Sequence, residues 1–323
     1  MKKFLFVSIL LITVALRSLG EGGREYALAV HGGAGNLSAV ENDPERTPLI
    51  YAALDSALII GERVLATGGT AGDAVVAVIR YMEDNPLFNA GKGATVTAEG
   101  EFELDASVML GGDLSAGAVA GLKTVKNPIS AAYAVMTKSP HVMLSGAGAD
   151  DFAAEQGLDI VDNIYFATPR TMEWVERIKR EKNGTVGCVA LDSKGNLAAG
   201  TSTGGMLGKR SGRIGDSPVI GAGTYADNNS CAVSCTGHGE YFIRHAVAFN
   251  LCARYKYLHE PLSEAASYIM YGELNAEEGN GGLIAVDKEG NIAMPFNSAG
   301  MIRASLYRDR GSRVSVKYTG IGK

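Results

Sequence analysis

Gly184-Thr185-Val186-Gly187-Cys188-Val189-Ala190-Leu191-Asp192 is the stretch that decides how this chain folds. Upstream of it, residues 171–182 are highly charged and run into Lys-Arg-Glu-Lys-Asn-Gly at 179–184, the pattern of an exposed connector. Downstream, Asp192-Ser193-Lys194-Gly195-Asn196 forms a turn between Thr185–Leu191 and Leu197–Ser202, which predicts a β-hairpin. A threonine where a connector meets a buried strand can attack the preceding carbonyl, provided the backbone there is held under strain. Glycine at 184 is expected to supply conformations closed to other residues. An N-to-O acyl shift followed by hydrolysis would free the α-amine of Thr185. Its unperturbed pKa of about 7.7–8.0 suits a general base. Nucleophile and base would then belong to one residue, with no histidine triad and no metal.

Working outward, Tyr26 to Val30 predicts a buried strand that runs into His31-Gly32-Gly33-Ala34-Gly35. Residues 48–66 and 70–82 predict helices, the second opened by a capping box of Thr70 and Asp73. Residues 94–97, 102–110, 117–123 and 141–144 read as strands, and Asn127-Pro128 opens a helix with Asn as its cap. From Gly146 to about Gly184 the pattern weakens, apart from a helical tendency over 171–182. On the far side, 230–235 reads as a strand, 239–258 as one long helix, 261–271 as a further helix, and 283–287 with 292–295 as a second hairpin. Leu283-Ile284-Ala285-Val286 is apolar on both faces and is therefore covered on both sides. The sum is an α+β fold with helices packed outside two stacked sheets.

At the start of the chain, Lys2 and Lys3 precede the apolar run Phe4–Leu16, and the small residues Ser18 and Gly20 follow it. That is the layout of a secretory signal peptide over 1–20, with export to the periplasm or the exterior expected. The apolar run is too short for a comfortable membrane span, so no membrane association is expected after its removal. Losing 1–20 removes Lys2, Lys3 and Arg17 and no acidic residue, which takes the net charge from −5 to −8. A chain so acidic, with no basic run, is a poor partner for nucleic acid. Cys188, Cys231, Cys235 and Cys252 form no metal-ligand spacing with one another or with histidine. Buried apolar packing is expected of them, with an exported disulfide as the alternative.

Three further segments could carry chemistry. In Gly200-Thr201-Ser202-Thr203-Gly204-Gly205, a hydroxyl-rich turn, Thr203 lies on the strand beside Thr185 and could orient it. In Gly212-Arg213-Ile214-Gly215-Asp216-Ser217-Pro218, Arg213 could grip an α-carboxylate bidentately while Asp216 takes an α-ammonium. In Ser234-Cys235-Thr236-Gly237-His238-Gly239-Glu240, a strand-to-helix junction, the Thr236 hydroxyl and the Gly237 N–H could bind a developing oxyanion. His238 reads as incidental. His31-Gly32-Gly33-Ala34-Gly35-Asn36 lacks dinucleotide-loop spacing and reads as a backbone turn packed near Thr185.

With these residues in view, the chain resembles the plant-type asparaginases, or isoaspartyl peptidases, of the N-terminal nucleophile hydrolases. The landmarks run in order: HGGAGN (31–36), PLFNAGKGA (86–94), ELDASVM (103–109), GAVAGL (117–122), GTVGCVALD (184–192), TSTGGM (201–206), GRIGDSP (212–218), SCTGHGE (234–240) and GGLIAVDKEGN (281–291). The resemblance implies a four-layer αββα sandwich and a single domain over 21–323. It also implies autocleavage between Gly184 and Thr185 into an α subunit, 21–184, and a β subunit, 185–323. It implies Thr185 as nucleophile, Thr203 in support, Arg213 and Asp216 on the substrate's carboxylate and amine, and Thr236 and Gly237 as oxyanion hole with Asn89 nearby. Expected substrates are L-asparagine and β-aspartyl dipeptides, with glycosylasparagine as the alternative. Expected too are a homodimer of αβ units, no catalytic cofactor, and a structural sodium ion on a carbonyl loop at about residues 82–92. His238 stands where relatives often carry Thr, and the connector is short. A non-enzymatic amino-acid-binding protein that has lost cleavage is the competing class.

Overall fold

The computed structural model describes residues 24–35, 37, 43–169, 184–309 and, for the backbone alone, 312–314. The signal segment 1–20, Asn36 and the charged connector 171–182 lie outside the described residues. Two sheets form the centre. The larger has eight strands in the order β12-β11-β1-β5-β6-β2-β3-β4, and the smaller has four in the order β10-β9-β8-β7. Here β1 is Tyr26–Gly35, β2 Leu104–Leu110, β3 Ala116–Leu122, β4 Met143–Ser145, β5 Val186–Leu191 and β6 Leu197–Thr203. β7 is Thr224–Ala226, β8 Cys231–Gly237, β9 Gly281–Asp287, β10 Ile292–Ala293, β11 Gly300–Asp309 and β12 Ser312–Val314. Every pairing is antiparallel except β3 with β4.

Period-two alternation sorts the strands into layers. On β1, Tyr26, Leu28 and Val30 join helices α1 (Arg46–Ala66), α2 (Ala71–Glu83), α3 (Pro128–Lys138) and α4 (Gly146–Glu155) in one core. Ala27 and Ala29 instead meet Val189, Leu191, Ala232, Ile284 and Val286 between the sheets. Beyond the smaller sheet, Cys231, Val233, Cys235, Leu283 and Ala285 pack on α5 (Gly239–Arg244), α6 (Val247–Leu258) and α7 (Leu262–Ser267). Three buried cores separate four layers, the αββα sandwich. All four cysteines are buried, and the sulfurs of Cys231 and Cys252 lie 2.9 Å apart between β8 and α6.

Several local expectations need correction. Residues 94–97 form no strand and contribute only an isolated bridge from Thr97 to Lys209. The helix expected over 239–258 breaks at Ala246, which adopts a left-handed φ of 46° and separates α5 from α6. The helix expected over 261–271 passes after Ser267 into one π-helical turn, Tyr268–Glu273. α4 has little to signal it in sequence, since only Ala149 and Ala153 are buried along it. β11 supplies Ile302, Ala304 and Leu306 to the helix-side core and pairs along the whole of β1. The Thr70–Asp73 capping box is present. Asn127 makes no side-chain cap and donates instead to Asp84 Oδ1 at 3.2 Å.

Candidate active site

β1, β5, β6 and β2 lie side by side, and their registers stack two polar rows at one end of the inter-sheet layer. In the lower row His31 faces Gly187, Gly187 faces Thr201, and Thr201 faces Ser107. In the upper row Asp105 faces Thr203, and Thr185 stands one residue before β5 on the same face as Val189 and Leu191. β8 brings Thr236 from the opposite sheet. Thr185 is 8% exposed and is held by three other strands. Its hydroxyl donates to Thr203 Oγ1 at 3.1 Å, its amide donates to Thr236 Oγ1 at 3.4 Å, and its carbonyl accepts from His31 Nδ1 at 3.0 Å.

Behind Thr203 the chain turns sharply. The Gly205 N–H donates to Thr203 Oγ1 at 2.8 Å, and Asn89 Nδ2 donates to the Gly205 carbonyl at 2.8 Å. Asn89 Oδ1 accepts from the Thr95 N–H at 2.8 Å. These bonds tie Asn89 to the turn that aims Thr203. Gly237 has a φ of 148°, and a Cβ there would fall 2.5 Å from the Asn280 carbonyl oxygen. Only glycine fits beside Thr236.

The reason expected for Gly184 also needs correction. The positive φ belongs to Gly33, at 110°, and not to Gly184. What demands glycine at 184 is proximity, because a Cβ there would collide with the Gly33 Cα, and one on Gly33 would sit 2.5 Å from the Gly184 Cα. The HGG segment thus continues β1, with a bulge between His31 and Gly33, and packs directly on the Gly184–Thr185 bond.

Arg213 and Asp216 lie against Gly239, whose added Cβ would fall 2.8 Å from Asp216 Oδ1 and 3.2 Å from Arg213 Nη2. The guanidinium is already gripped by Glu240, with Nε at 3.0 Å and Nη2 at 2.9 Å from its two oxygens. Asp216 is buried, and its Oδ2 has no hydrogen-bond partner among the described residues. Burial pushes its pKa up to about 7, with Arg213 pulling the other way. His238, which read as incidental, is half-buried with Nε2 3.8 Å from Glu240 Oε2 and its ring edge-on to Tyr241.

Sequence reasoning passed over several polar groups. Lys209 is buried, donates to the Glu103 carbonyl at 2.8 Å, and stands 4.0 Å from Asp105 Oδ2. Burial lowers the Lys209 pKa and raises that of Asp105. Glu83 is wholly buried at the end of α2, accepting from Ser202 at 2.7 Å and from the Ile129 N–H at 2.9 Å. Burial pushes its carboxyl up to about 8. The only legible signal for these was the unusual placement of charge within otherwise apolar stretches.

The loop after α2 turns several backbone carbonyls toward its glycines. A Cβ on Gly93 would collide with the Phe88 carbonyl oxygen and sit 2.7 Å from that of Pro86, and one on Gly91 would collide with that of Glu83. The Phe88 and Pro86 carbonyls thus line the place that a side chain at Gly93 would fill, and carbonyl oxygen is the donor type that suits a hard cation such as sodium.

The asparaginase family model matches residues 24–316. The chain belongs to the asparaginase family. Among its relatives, the isoaspartyl peptidase of Escherichia coli is 43% identical, the alignment covering 90% of this chain and 98% of that one. A probable isoaspartyl peptidase/L-asparaginase 2 of Arabidopsis thaliana is 42% identical over 90% of this chain and 98% of its own. The human isoaspartyl peptidase/L-asparaginase is 41% identical over 85% of this chain and 91% of its own. This member of the asparaginase family is a hydrolase, and its αββα sandwich agrees with the fold class that the resemblance implied.

Proposed function

We propose that the chain cleaves itself between Gly184 and Thr185 and then hydrolyses the side-chain amide of L-asparagine and the isopeptide bond of β-aspartyl dipeptides. The observation that carries this reading is the convergence on Thr185 of Thr203, Thr236 and His31 from three other strands. In maturation, Thr185 Oγ1 attacks the Gly184 carbonyl carbon, the C–N bond breaks to leave an ester, and water releases Gly184 as a carboxylate. The freed α-amine of Thr185 then takes the hydroxyl proton as Oγ1 attacks the substrate's side-chain carbonyl. The oxyanion is met by the Thr236 hydroxyl and the Gly237 N–H. The amine returns the proton to the leaving nitrogen, which departs as ammonia or as the amino group of the second residue. Water hydrolyses the β-aspartyl ester and L-aspartate leaves. Arg213 and Asp216 hold its α-carboxylate and α-ammonium, which requires the substrate carboxylate to share Arg213 with Glu240 or displace it.

The relatives are isoaspartyl peptidases and asparaginases, which does not favour the glycosylasparaginase alternative. Export through a signal peptide over 1–20, assembly as a dimer of αβ units, and a sodium ion held by the Glu83, Pro86 and Phe88 carbonyls belong to the same reading. The ion would act only to brace the loop that carries Asn89. Denaturing electrophoresis and amino-terminal sequencing test the core claim: the smaller of two bands should begin Thr-Val-Gly-Cys, and Thr185→Ala should stay one inactive band. Scission of Thr185→Ala at the same bond would sink the assignment.

A further inference from the structure

We propose that His31 is a positioning residue for Thr185, held in one neutral tautomer by the Thr185 carbonyl at Nδ1 and the buried Ser234 hydroxyl at Nε2. The inference rests on reading Thr185 as the nucleophile. Each proton in this chain of buried groups is assigned from one end. The Thr185 carbonyl can only accept, so His31 Nδ1, 3.0 Å away, carries the hydrogen. The ring is fully buried, and burial pulls its pKa down to about 3, so it stays neutral and Nε2 must accept. The partner of Nε2 is Ser234 Oγ at 3.1 Å, which therefore spends its single proton there. Ser234 then accepts from Thr201 at 2.7 Å, and Thr201 accepts from Thr224 at 2.6 Å. Their alternative acceptors, the carbonyls of Gly223 and Ser217, are farther off at 3.3 and 3.4 Å. Ser107 then has one proton for two acceptors, Thr224 Oγ1 at 2.8 Å and the Ser217 carbonyl at 2.5 Å, so the chain ends there with one contact left without a hydrogen.

These groups come from β1, β6, β2, β7 and β8, and they meet because their registers align: His31, Thr201 and Ser107 lie in one row, and Thr224 faces Ser234 in the other sheet. Between His31 and Thr201 in that row stands Gly187, where a Cβ would collide with both His31 Nε2 and Ser234 Oγ. The row is the floor beneath Thr185. Thr185 precedes the first pair of β5, Val186 with Ser202, so no ladder bond within β5 fixes it. After scission it also loses its link to Gly184. The His31 bond to its carbonyl then sets the rotation that aims both hydroxyl and amine.

Histidine-selective 15N labelling of the full-length protein, read through long-range proton–nitrogen correlations, tests the tautomer among five histidines. The His31 ring should show the Nδ1–H neutral form, unchanged from pH 5 to 9. An Nε2–H form, or titration in that range, overturns the proposal, whether or not Thr185 proves to be the nucleophile. In the matured enzyme His31→Leu should lower kcat by about tenfold to a hundredfold with KM changed by less than about threefold, the loss of one buried hydrogen bond. His31→Asn, which keeps a donor near the Nδ1 position, should recover most of it. Wild-type kcat in His31→Leu, or equal damage in both variants, overturns the assignment. Should His31→Leu fail to fold, the tautomer measurement and His31→Asn decide.

Discussion

Asp216 Oδ2 is buried without a hydrogen-bond partner among the described residues, and burial pushes its carboxyl up to about 7 against the pull of Arg213. Only the ionised form can take an ammonium, so binding of an α-amino acid must expel the proton below that value. The affinity of L-aspartate as an inhibitor should accordingly weaken about tenfold per pH unit below about 7, and level off above it. In Asp216→Asn the inhibition should be weak and flat over the same range, and a wild-type pH profile in that variant would remove Asp216 from the site. At this scale much was legible, because Thr185, Thr203, Arg213, Asp216 and Thr236 each announce themselves by residue type within a glycine-punctuated segment. The task of His31 was not, since its partner Ser234 lies 203 residues away and only the stacking of two sheets brings them together.

At the scale of elements, the join between β1 and the segment entering β5 is a close backbone approach at the site. Gly33 and Gly184 pack Cα against Cα, so a methyl on either has nowhere to go. Gly184→Ala should push the 184–185 bond away from Thr203 and Thr236 and slow scission by at least about tenfold, by the cost of a small misplacement. Gly184 lies outside the ladder of β5, so the variant should fold. A time course on denaturing gels measures this, and cleavage at the wild-type rate would show that the glycine contact does not hold the bond. The strands flanking this join were readable from their apolar runs and from the turn at Asp192–Asn196, and β5 and β6 as a hairpin most clearly. The break between α5 and α6 was not, because Ala246 carries no sign of the left-handed turn that packing imposes. β7, three residues long, is too short to show a period.

The whole molecule couples its outer helical layer to the strands of the candidate site through Glu83, which reaches from α2 to Ser202, next to Thr203. Ser202 faces the helices while Thr203 faces the opposite sheet, so one strand hands a polar contact to each side. The carboxyl of Glu83 rises from 4.5 to about 8 on folding, chiefly by burial and against the bonds from Ser202 and Ile129. Between those values the unfolded chain has lost the proton and the folded chain keeps it. The folded state therefore binds more protons, and stability falls as pH rises through the window, then levels above about 8. Asp216 contributes in the same direction over a lower window, and His31, depressed on folding, in the opposite direction below its ordinary range. A difference measurement removes both, because they are present in wild type and variant alike. Glu83→Gln keeps the shape and the acceptor for Ser202 without the charge. Unfolding by urea at fixed temperature should show the variant gaining on wild type from pH 5 to 8, by at most about 1.4 kcal/mol per unit, with no further gain above. Parallel stability curves across that range would mean that Glu83 is ionised in the fold, with a counter-charge close enough to offset its burial.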